Sequence, residues 1–185
     1  MIGKPLFYWD ANPLIAWITD EDRPPEEMAG LEEVIKLVEH GKATILTSAL
    51  WRVEVLDSTL TPMQVSILKK LFEGRHITDV SADSRVLDLA HEIRDYYYVE
   101  HKKDPSIPKI STPDSIHLAT AILYGAAEFH TFDGATQKGG MGKLLKLNGN
   151  VAGHTLKICK PVAAQLKLNF GQQDLAQVLN ENSEE

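Results

Sequence analysis

Short apolar runs alternate along the chain with longer segments whose apolar residues recur every three or four positions. The short runs predict five β-strands, at residues 6–9, 43–46, 77–80, 128–132 and 155–159. The periodic segments predict helices at residues 12–18, 31–40, 49–56, 61–71, 82–101 and 112–124. Strands that alternate with helices indicate a parallel sheet with helices on both faces. We therefore expect an α/β fold with three layers, α/β/α, and a central parallel sheet of four to five strands.

Polar residues that favour the first position of a helix stand where several of these helices should begin. The predicted N-caps are Asn12, Ser48 and Thr112. The prolines at 13 and 113 would then occupy the first helical position, which tolerates proline. Residues 19–30 are acidic and contain two consecutive prolines, so we expect a loop there.

The length of 185 residues fits a single domain, which we place at residues 1–160. Residues 161–185 should form a C-terminal extension that is partly helical or disordered. No apolar run is long enough to span a bilayer, and the first residues lack the pattern of a signal peptide. The single cysteine, Cys159, cannot form an internal disulfide, and we expect it in the core of a strand. Together these features favour the cytoplasm.

The charge distribution is uneven. A net charge of −7 argues against a uniformly basic nucleic-acid-binding protein. Residues 134–173 nevertheless contain lysines and no acidic residue. They indicate either a basic surface near Asp133 or a solvated, lysine-rich tail.

Four acidic residues occupy positions where a carboxylate is costly unless something compensates its charge. Asp10 and Asp133 each end an apolar strand, and parallel strands place ligands at their carboxyl ends. Asp114 lies in the first turn of a predicted helix, and Glu54 lies within an apolar helical pattern. Hard divalent cations such as Mg²⁺ and Mn²⁺ prefer carboxylate oxygens. The four acids therefore predict a metal site suited to a nuclease.

Each acid also has a purely structural explanation. Asp114 could only stabilise the start of its helix, where the macrodipole favours an anion. Asp10 could begin a turn, and Asp133 precedes Gly134 in an ordinary turn pair. Glu54 could point to solvent. The joint occurrence of the four acids favours the metal site.

The segments that carry these acids resemble the four acidic motifs of PIN domains, and they are most similar to VapC-like toxin ribonucleases. They cover residues 8–15, 51–56, 112–121 and 129–133. The resemblance extends over roughly residues 6–160 and implies a PIN-like, Rossmann-like sheet. It implies that the catalytic residues and the ligands of Mg²⁺ or Mn²⁺ are Asp10, Glu54, Asp114 and Asp133. Asn12 and Thr112 would be polar supports of the site.

The resemblance implies that the protein is a metal-dependent endoribonuclease. It could be the toxin of a toxin–antitoxin pair. Its partners would be an RNA substrate, a small antitoxin protein and a second copy of the chain, with no membrane. Candidate contact surfaces are residues 14–18 and 96–98. Lys138 and Lys143 could contact a substrate phosphate. The alternatives are an inactive PIN-fold interaction module and an RNA-processing nuclease without an antitoxin.

Two further signals are weaker. His117 follows Asp114 by three residues on the same predicted helix and could approach the site. We favour a packed or surface histidine, because no second histidine has zinc-ligand spacing with it. Among three consecutive tyrosines, we expect Tyr97 in the core and Tyr96 and Tyr98 half-exposed, with base stacking the less favoured role.

Overall fold

A parallel sheet of five strands forms the centre of the protein. The computed structural model describes residues 4–55, 59–73, 77–133 and 144–161. The strands are β1 (Leu6–Trp9), β2 (Thr44–Ser48), β3 (Ile77–Val80), β4 (Glu128–His130) and β5 (Ile158–Cys159). All four pairings are parallel, and the strand order is β3-β2-β1-β4-β5. The predicted parallel sheet is confirmed, although β4 and β5 are shorter than predicted.

Helices cover both faces of this sheet. They are α1 (Ala11–Thr19), α2 (Pro25–Glu39), α3 (Trp51–Glu54), α4 (Pro62–Glu73), α5 (Ser84–Lys103) and α6 (Thr112–Leu123), with a short 3-10 helix at Leu144–Leu147. Alternate residues of β1 point to opposite faces. Tyr8 packs in a core with α5 and α6, whereas Phe7 and Trp9 pack in a second core with α1, α2 and α4. The three-layer α/β/α architecture is therefore confirmed.

The path of the chain creates a crevice at the carboxyl end of β1. From β1 the chain moves outward to β2 and β3, and it then returns through α5 and α6 to β4 on the other side of β1. Open α/β sheets bind ligands at such a topological switch point, outside the carboxyl ends of the strands. Asp10 follows β1 directly, and Asp133 lies three residues beyond the end of β4. The fold thus brings two of the predicted acids to the same edge.

Two helices begin one or two residues earlier than predicted. The N-cap of α1 is Asp10 rather than Asn12, and the N-cap of α6 is Ser111 rather than Thr112. Both capping residues keep an extended backbone, with ψ of −174° and 164°, and each side chain accepts a hydrogen bond from the first turn. The helix begins where extended backbone ends, and that point is set by the preceding strand or loop.

The predicted cap at Ser48 is wrong, because Leu50 occupies the N-cap of α3 and makes no side-chain capping bond. The Ser48 hydroxyl instead accepts a 3.3 Å hydrogen bond from the Leu50 backbone N–H. Ser48 is the last residue of β2, so its side chain is fixed by the sheet before the helix begins.

The loop predicted for residues 19–30 is shorter than expected, because α2 already begins at Pro25. The proline pair marks the start of the helix, where a missing N–H costs nothing. Glu26 and Glu27 lie in the first turn, where the macrodipole favours them. Glu27 also pairs with Lys160 at 2.6 Å, which ties α2 to the segment after β5.

Several predictions concern residues outside the described ranges. Lys138, Lys143 and nearly all of the predicted extension at 161–185 lie there, so those predictions stay untested. Of the two candidate contact surfaces, residues 14–18 are largely in the core, since Leu14, Ala16 and Ile18 are buried. Among the described helices, none combines the length and apolar character that a bilayer-spanning segment requires.

Candidate functional site

Asp10 is a buried carboxylate at the carboxyl end of β1, only 5% exposed. Its Oδ1 accepts a 2.9 Å hydrogen bond from the Asn12 backbone N–H. Burial raises the pKa of Asp10 from 3.8 to about 7, and the negative charge of Asp114 adds to that rise. A hydrogen bond with the Thr131 side chain, the charge of His117 and the Asn12 N–H oppose it. Asp10 is therefore a carboxylate whose negative charge is only partly compensated by the protein.

Thr131 connects Asp10 with Asp133. Its side chain is fully buried and hydrogen-bonds to Asp10, and its Oγ1 accepts a 2.9 Å hydrogen bond from the Asp133 backbone N–H. Asp133 is 7% exposed, and its carbonyl accepts a 3.3 Å bond from the N–H of Leu145 in the 3-10 helix. Two buried aspartates thus follow neighbouring strands and share one threonine.

Asp114 lies in the first turn of α6 and is held by a capping box. The Ser111 hydroxyl oxygen accepts a 3.2 Å bond from the Asp114 N–H. Asp114 Oδ2 in turn accepts a 2.6 Å bond from that hydroxyl and a 3.4 Å bond from the Ser111 N–H. The structural role considered for Asp114 is thus present, and its charge still acts on Asp10. Thr112 and Asn12, the predicted polar supports, have exposed side chains beside these two acids.

Glu54 is positioned by a chain of hydrogen bonds that begins in β1. Its Oε2 lies 2.7 Å from His117 Nε2, and His117 Nδ1 lies 2.7 Å from the Tyr8 hydroxyl. The Ser48 backbone N–H donates to that same hydroxyl at 3.0 Å. Tyr8, Ser48 and His117 are all buried, whereas the Glu54 side chain is 24% exposed. The carboxylate of Glu54 therefore reaches the surface of the site from a buried polar network.

The hydrogen-bond roles in this network follow from what each group can donate. An ionised Glu54 carboxylate only accepts, so His117 Nε2 carries a proton. His117 Nδ1 and the Tyr8 hydroxyl form the second bond of the network, with the proton on either atom. Burial raises the pKa of Tyr8 well above its ordinary value, so this hydroxyl keeps its proton. The network thus connects the sheet to Glu54 through two buried side chains.

The charges of Asp114 and His117 act on Asp10, and Thr131 joins Asp10 to Asp133. His117 also holds Glu54, but in the described part of the chain the four acids do not form a closed cage. Among the residues that the structure describes, no three of them bring ligand atoms within 4.8 Å of one another. Mg²⁺ is usually held by one or two carboxylates and keeps several waters. Asp10 and Asp114, whose charges interact, would supply two carboxylates, and an oxygen-only donor set suits a hard divalent cation.

Glu128, His130 and Cys159 form a separate group whose ligand atoms do lie within 4.8 Å of one another. The Trp9 indole N–H donates to His130 Nδ1 at 3.1 Å, so Nε2 carries the proton and donates to Glu128 Oε2 at 2.9 Å. Lys157 pairs with the other Glu128 oxygen at 2.7 Å. The histidine nitrogen that faces the group is therefore a donor, which argues against a metal ligand there. Cys159 is half-buried in β5 rather than fully in the core.

Sequence reasoning missed the supporting residues of the site. His117 was expected to be a packed or surface histidine, and it is indeed buried, but it also holds Glu54. The available signal was its position three residues after Asp114, which places both on one side of α6. Thr131 and Tyr8 carried no comparable signal, because their partners are distant in sequence.

The described geometry agrees with the comparisons to known proteins. A family model described as the PIN domain matches residues 7–138, a range that contains all four acids. No curated protein matches the sequence. One similar structure is VapBC2 from Rickettsia felis bound to a DNA fragment from its promoter. It is 15% identical with a TM-score of 0.52, and the match covers 83% of this chain and 98% of that chain. FitAcB from Neisseria gonorrhoeae is 18% identical with a TM-score of 0.52, covering 84% of this chain and 97% of that chain. At these identities the two structures show a shared fold.

Proposed function

The chain belongs to the PIN domain family, and from that membership we propose that it is a metal-dependent endoribonuclease that hydrolyses RNA phosphodiester bonds. PIN domains are generally nucleases and generally use divalent metal ions. The observation that carries the proposal is the environment of Asp10, a buried carboxylate at the switch point of the sheet. Its pKa is raised to about 7 by burial and by the nearby charge of Asp114. A divalent cation would compensate both charges.

In this proposal Asp10 and Asp114 hold the principal ion, and Glu54 and Asp133 complete the site. Mg²⁺ or Mn²⁺ would lower the pKa of an attacking water and neutralise charge on the scissile phosphate. Asp10 is held in place by Asn12, and Asp114 by its capping box. Because both acids are fixed by the backbone, little reorganisation is needed when an ion binds.

Glu54 is proposed to orient the water. Its Oε2 is engaged by His117, so the second oxygen can accept a hydrogen bond from a water in the crevice. The buried Tyr8–His117 pair fixes the direction of this carboxylate without touching the substrate. His117 and Tyr8 are therefore positioning residues, whereas Asp10 and Asp114 are proposed to be catalytic.

RNA cleavage tests this function. A mixed pool of RNAs is incubated with the full chain in Mg²⁺ or Mn²⁺, and a parallel reaction contains EDTA. Asp114→Asn removes one proposed ligand, and Asp88→Asn removes a matched exposed carboxylate on α5. We expect cleavage by the wild-type and Asp88→Asn proteins, with none in EDTA or with Asp114→Asn. Equal cleavage by both variants would refute the proposed site.

A finer proposal is that the chain is the toxin of a toxin–antitoxin pair. It is supported by the fold shared with VapBC2, and it adds a small antitoxin, and a second copy of the chain, as partners. Expression of the wild-type chain should then arrest growth, and expression of Asp10→Asn should not. Metal-dependent cleavage without growth arrest would favour an RNA-processing nuclease without an antitoxin. If the chain neither binds metal nor cleaves RNA, a PIN-fold interaction module would be favoured.

A further inference from the structure

A cavity of about 560 Å³ opens between α5 and the loop that precedes α6. Its lining includes Arg94, Tyr98, Lys109, Ile110, Ser111 and Thr112. Ile110 is buried, whereas Arg94, Lys109 and Tyr98 are exposed. Ligand sites commonly have volumes of about 300–1,000 Å³, so this cavity can hold one nucleotide.

The cavity lies directly beside the proposed metal site. Ser111 lines the cavity and donates its hydroxyl to Asp114 Oδ2 at 2.6 Å. A ligand in the cavity would therefore be separated from the Asp114 carboxylate by one side chain. A strand of RNA whose scissile phosphate lies at Asp114 has to place an adjacent nucleotide nearby.

The charge of the cavity suits phosphate. In the described part of the chain, Arg94 and Lys109 take part in no ion pair, although Asp95 also lies on the rim. The other three arginines in the described ranges, Arg23, Arg52 and Arg85, each pair with an acid. In a chain of net charge −7, two cations that pair with no acid among the described residues are available to an anionic ligand.

The aromatic ring of the cavity suits a base. Tyr98 is 52% exposed, whereas the adjacent Tyr97 is buried. Lys102 Nζ lies 4.3 Å from the Tyr98 ring centroid. A hydrogen bond with Lys102, together with the charges of Lys102 and Lys109, lowers the pKa of Tyr98. Arg94, Tyr98 and Lys102 follow one another at intervals of four residues, so α5 presents them as one exposed stripe.

We propose that this cavity binds a nucleotide of single-stranded RNA adjacent to the scissile phosphate. Arg94 and Lys109 hold the phosphate, and the base stacks on Tyr98. This site rests on the proposed ribonuclease function and specifies how the substrate would be positioned. In this proposal Tyr98 is the only one of the three consecutive tyrosines that stacks on a base.

Binding of a fluorescently labelled single-stranded RNA tests the site. Fluorescence anisotropy is measured in Mg²⁺ at several salt concentrations, in an Asp10→Asn background that keeps the RNA intact. The cavity variant is Arg94→Gln/Lys109→Gln. The control, Lys42→Gln/Lys70→Gln, removes two exposed cations from other surfaces. All four side chains are exposed, so neither variant should unfold the protein, and thermal unfolding checks this.

The cavity variant should bind RNA about 5- to 25-fold more weakly than the control at 0.1 M salt, since each lost single-strand phosphate contact removes about 0.7 from the salt slope. Tyr98→Leu should weaken binding by about fivefold or more, because base stacking on an aromatic side chain is lost. Tyr98→Phe keeps the ring and should bind nearly as the parent does. Equal binding by the cavity and control variants would overturn the site.

RNA cleavage, measured for the wild-type chain and for the same substitutions without Asp10→Asn, separates this inference from the proposed function. If the wild-type chain cleaves RNA with metal while the cavity variant binds like the control, the cavity is not a nucleotide site and the nuclease stands. If binding depends on the cavity but the wild-type chain cleaves no RNA, the nuclease proposal fails and the nucleotide site stands.

Discussion

Replacing the buried carboxyl of Asp10 with an amide should stabilise the metal-free protein at neutral and alkaline pH. Asp10→Asn keeps the shape of the side chain and the acceptor for the Asn12 N–H, whose bond to Oδ1 is 2.9 Å long. It removes a negative charge that is buried and lies within reach of the charge of Asp114. The wild-type protein must either desolvate this charge or keep it protonated.

The size and sign of the effect follow from the pKa. The folded protein raises the pKa of Asp10 from 3.8 to about 7, so the folded state binds a proton more tightly than the unfolded state does. Stability is therefore lost as pH rises through this interval, and the loss is complete above about pH 7. One pKa unit is worth about 1.4 kcal/mol, so the full penalty on the wild-type chain is about 4 kcal/mol. The advantage of Asp10→Asn should grow by roughly 2–3 kcal/mol between pH 5 and pH 8.

Urea unfolding in EDTA at pH 5, 6, 7 and 8 measures this advantage as a difference in the free energy of unfolding. Asp88→Asn, on the exposed surface of α5, is the control and should show no comparable pH dependence. A difference between Asp10→Asn and wild type that is the same at pH 5 and pH 8 would refute the argument. Saturating Mg²⁺ should narrow the difference at pH 8, since an ion at 100 times its Kd stabilises the wild-type protein by about 2.7 kcal/mol.

Substitutions at three further positions test a backbone conformation and two hydrogen-bonded contacts by thermal or urea unfolding. Gly41→Ala should destabilise the protein by about 1 kcal/mol because the φ of +65° strains alanine, and an unchanged midpoint would contradict this. Ser111→Ala should cost about 1 kcal/mol because it removes the capping box with Asp114, and Ser111→Thr should recover most of that loss. Tyr8→Phe should cost about 1–3 kcal/mol because the buried N–H of Ser48 loses its acceptor, and a neutral effect would show that the bond is unimportant.

The parts of the structure that could be predicted from sequence are those fixed by local patterns. Apolar runs placed all five strands, since a strand buried on both faces needs consecutive apolar residues. The parallel topology then put Asp10 and Asp133 at the same edge of the sheet. The beginning of α2, residues 25–30, was assigned to a loop, because two prolines and an acidic first turn are typical of a loop as well as of a helix start.

The supporting network of the site could not be predicted because its bonds join residues far apart in sequence. Tyr8 and His117 are separated by 109 positions, and His117 and Glu54 by 63. No local pattern indicates which buried polar groups will meet once the helices pack on the sheet. The caps at Asp10 and Ser111 were misplaced for a related reason, since the backbone that precedes each helix decides where it begins.

The most direct test of the proposed ribonuclease activity is a single-turnover cleavage rate, measured with excess protein, one susceptible RNA and Mg²⁺. This rate is compared between wild type and Asp10→Asn. The account predicts that Asp10→Asn is at least about 100-fold slower, because it removes a ligand from the ion that stabilises the transition state. It also predicts that EDTA abolishes cleavage by the wild-type protein, while Asp10→Asn still binds the RNA. Cleavage by Asp10→Asn at the wild-type rate, or wild-type cleavage that persists in EDTA, would contradict the proposed metal site.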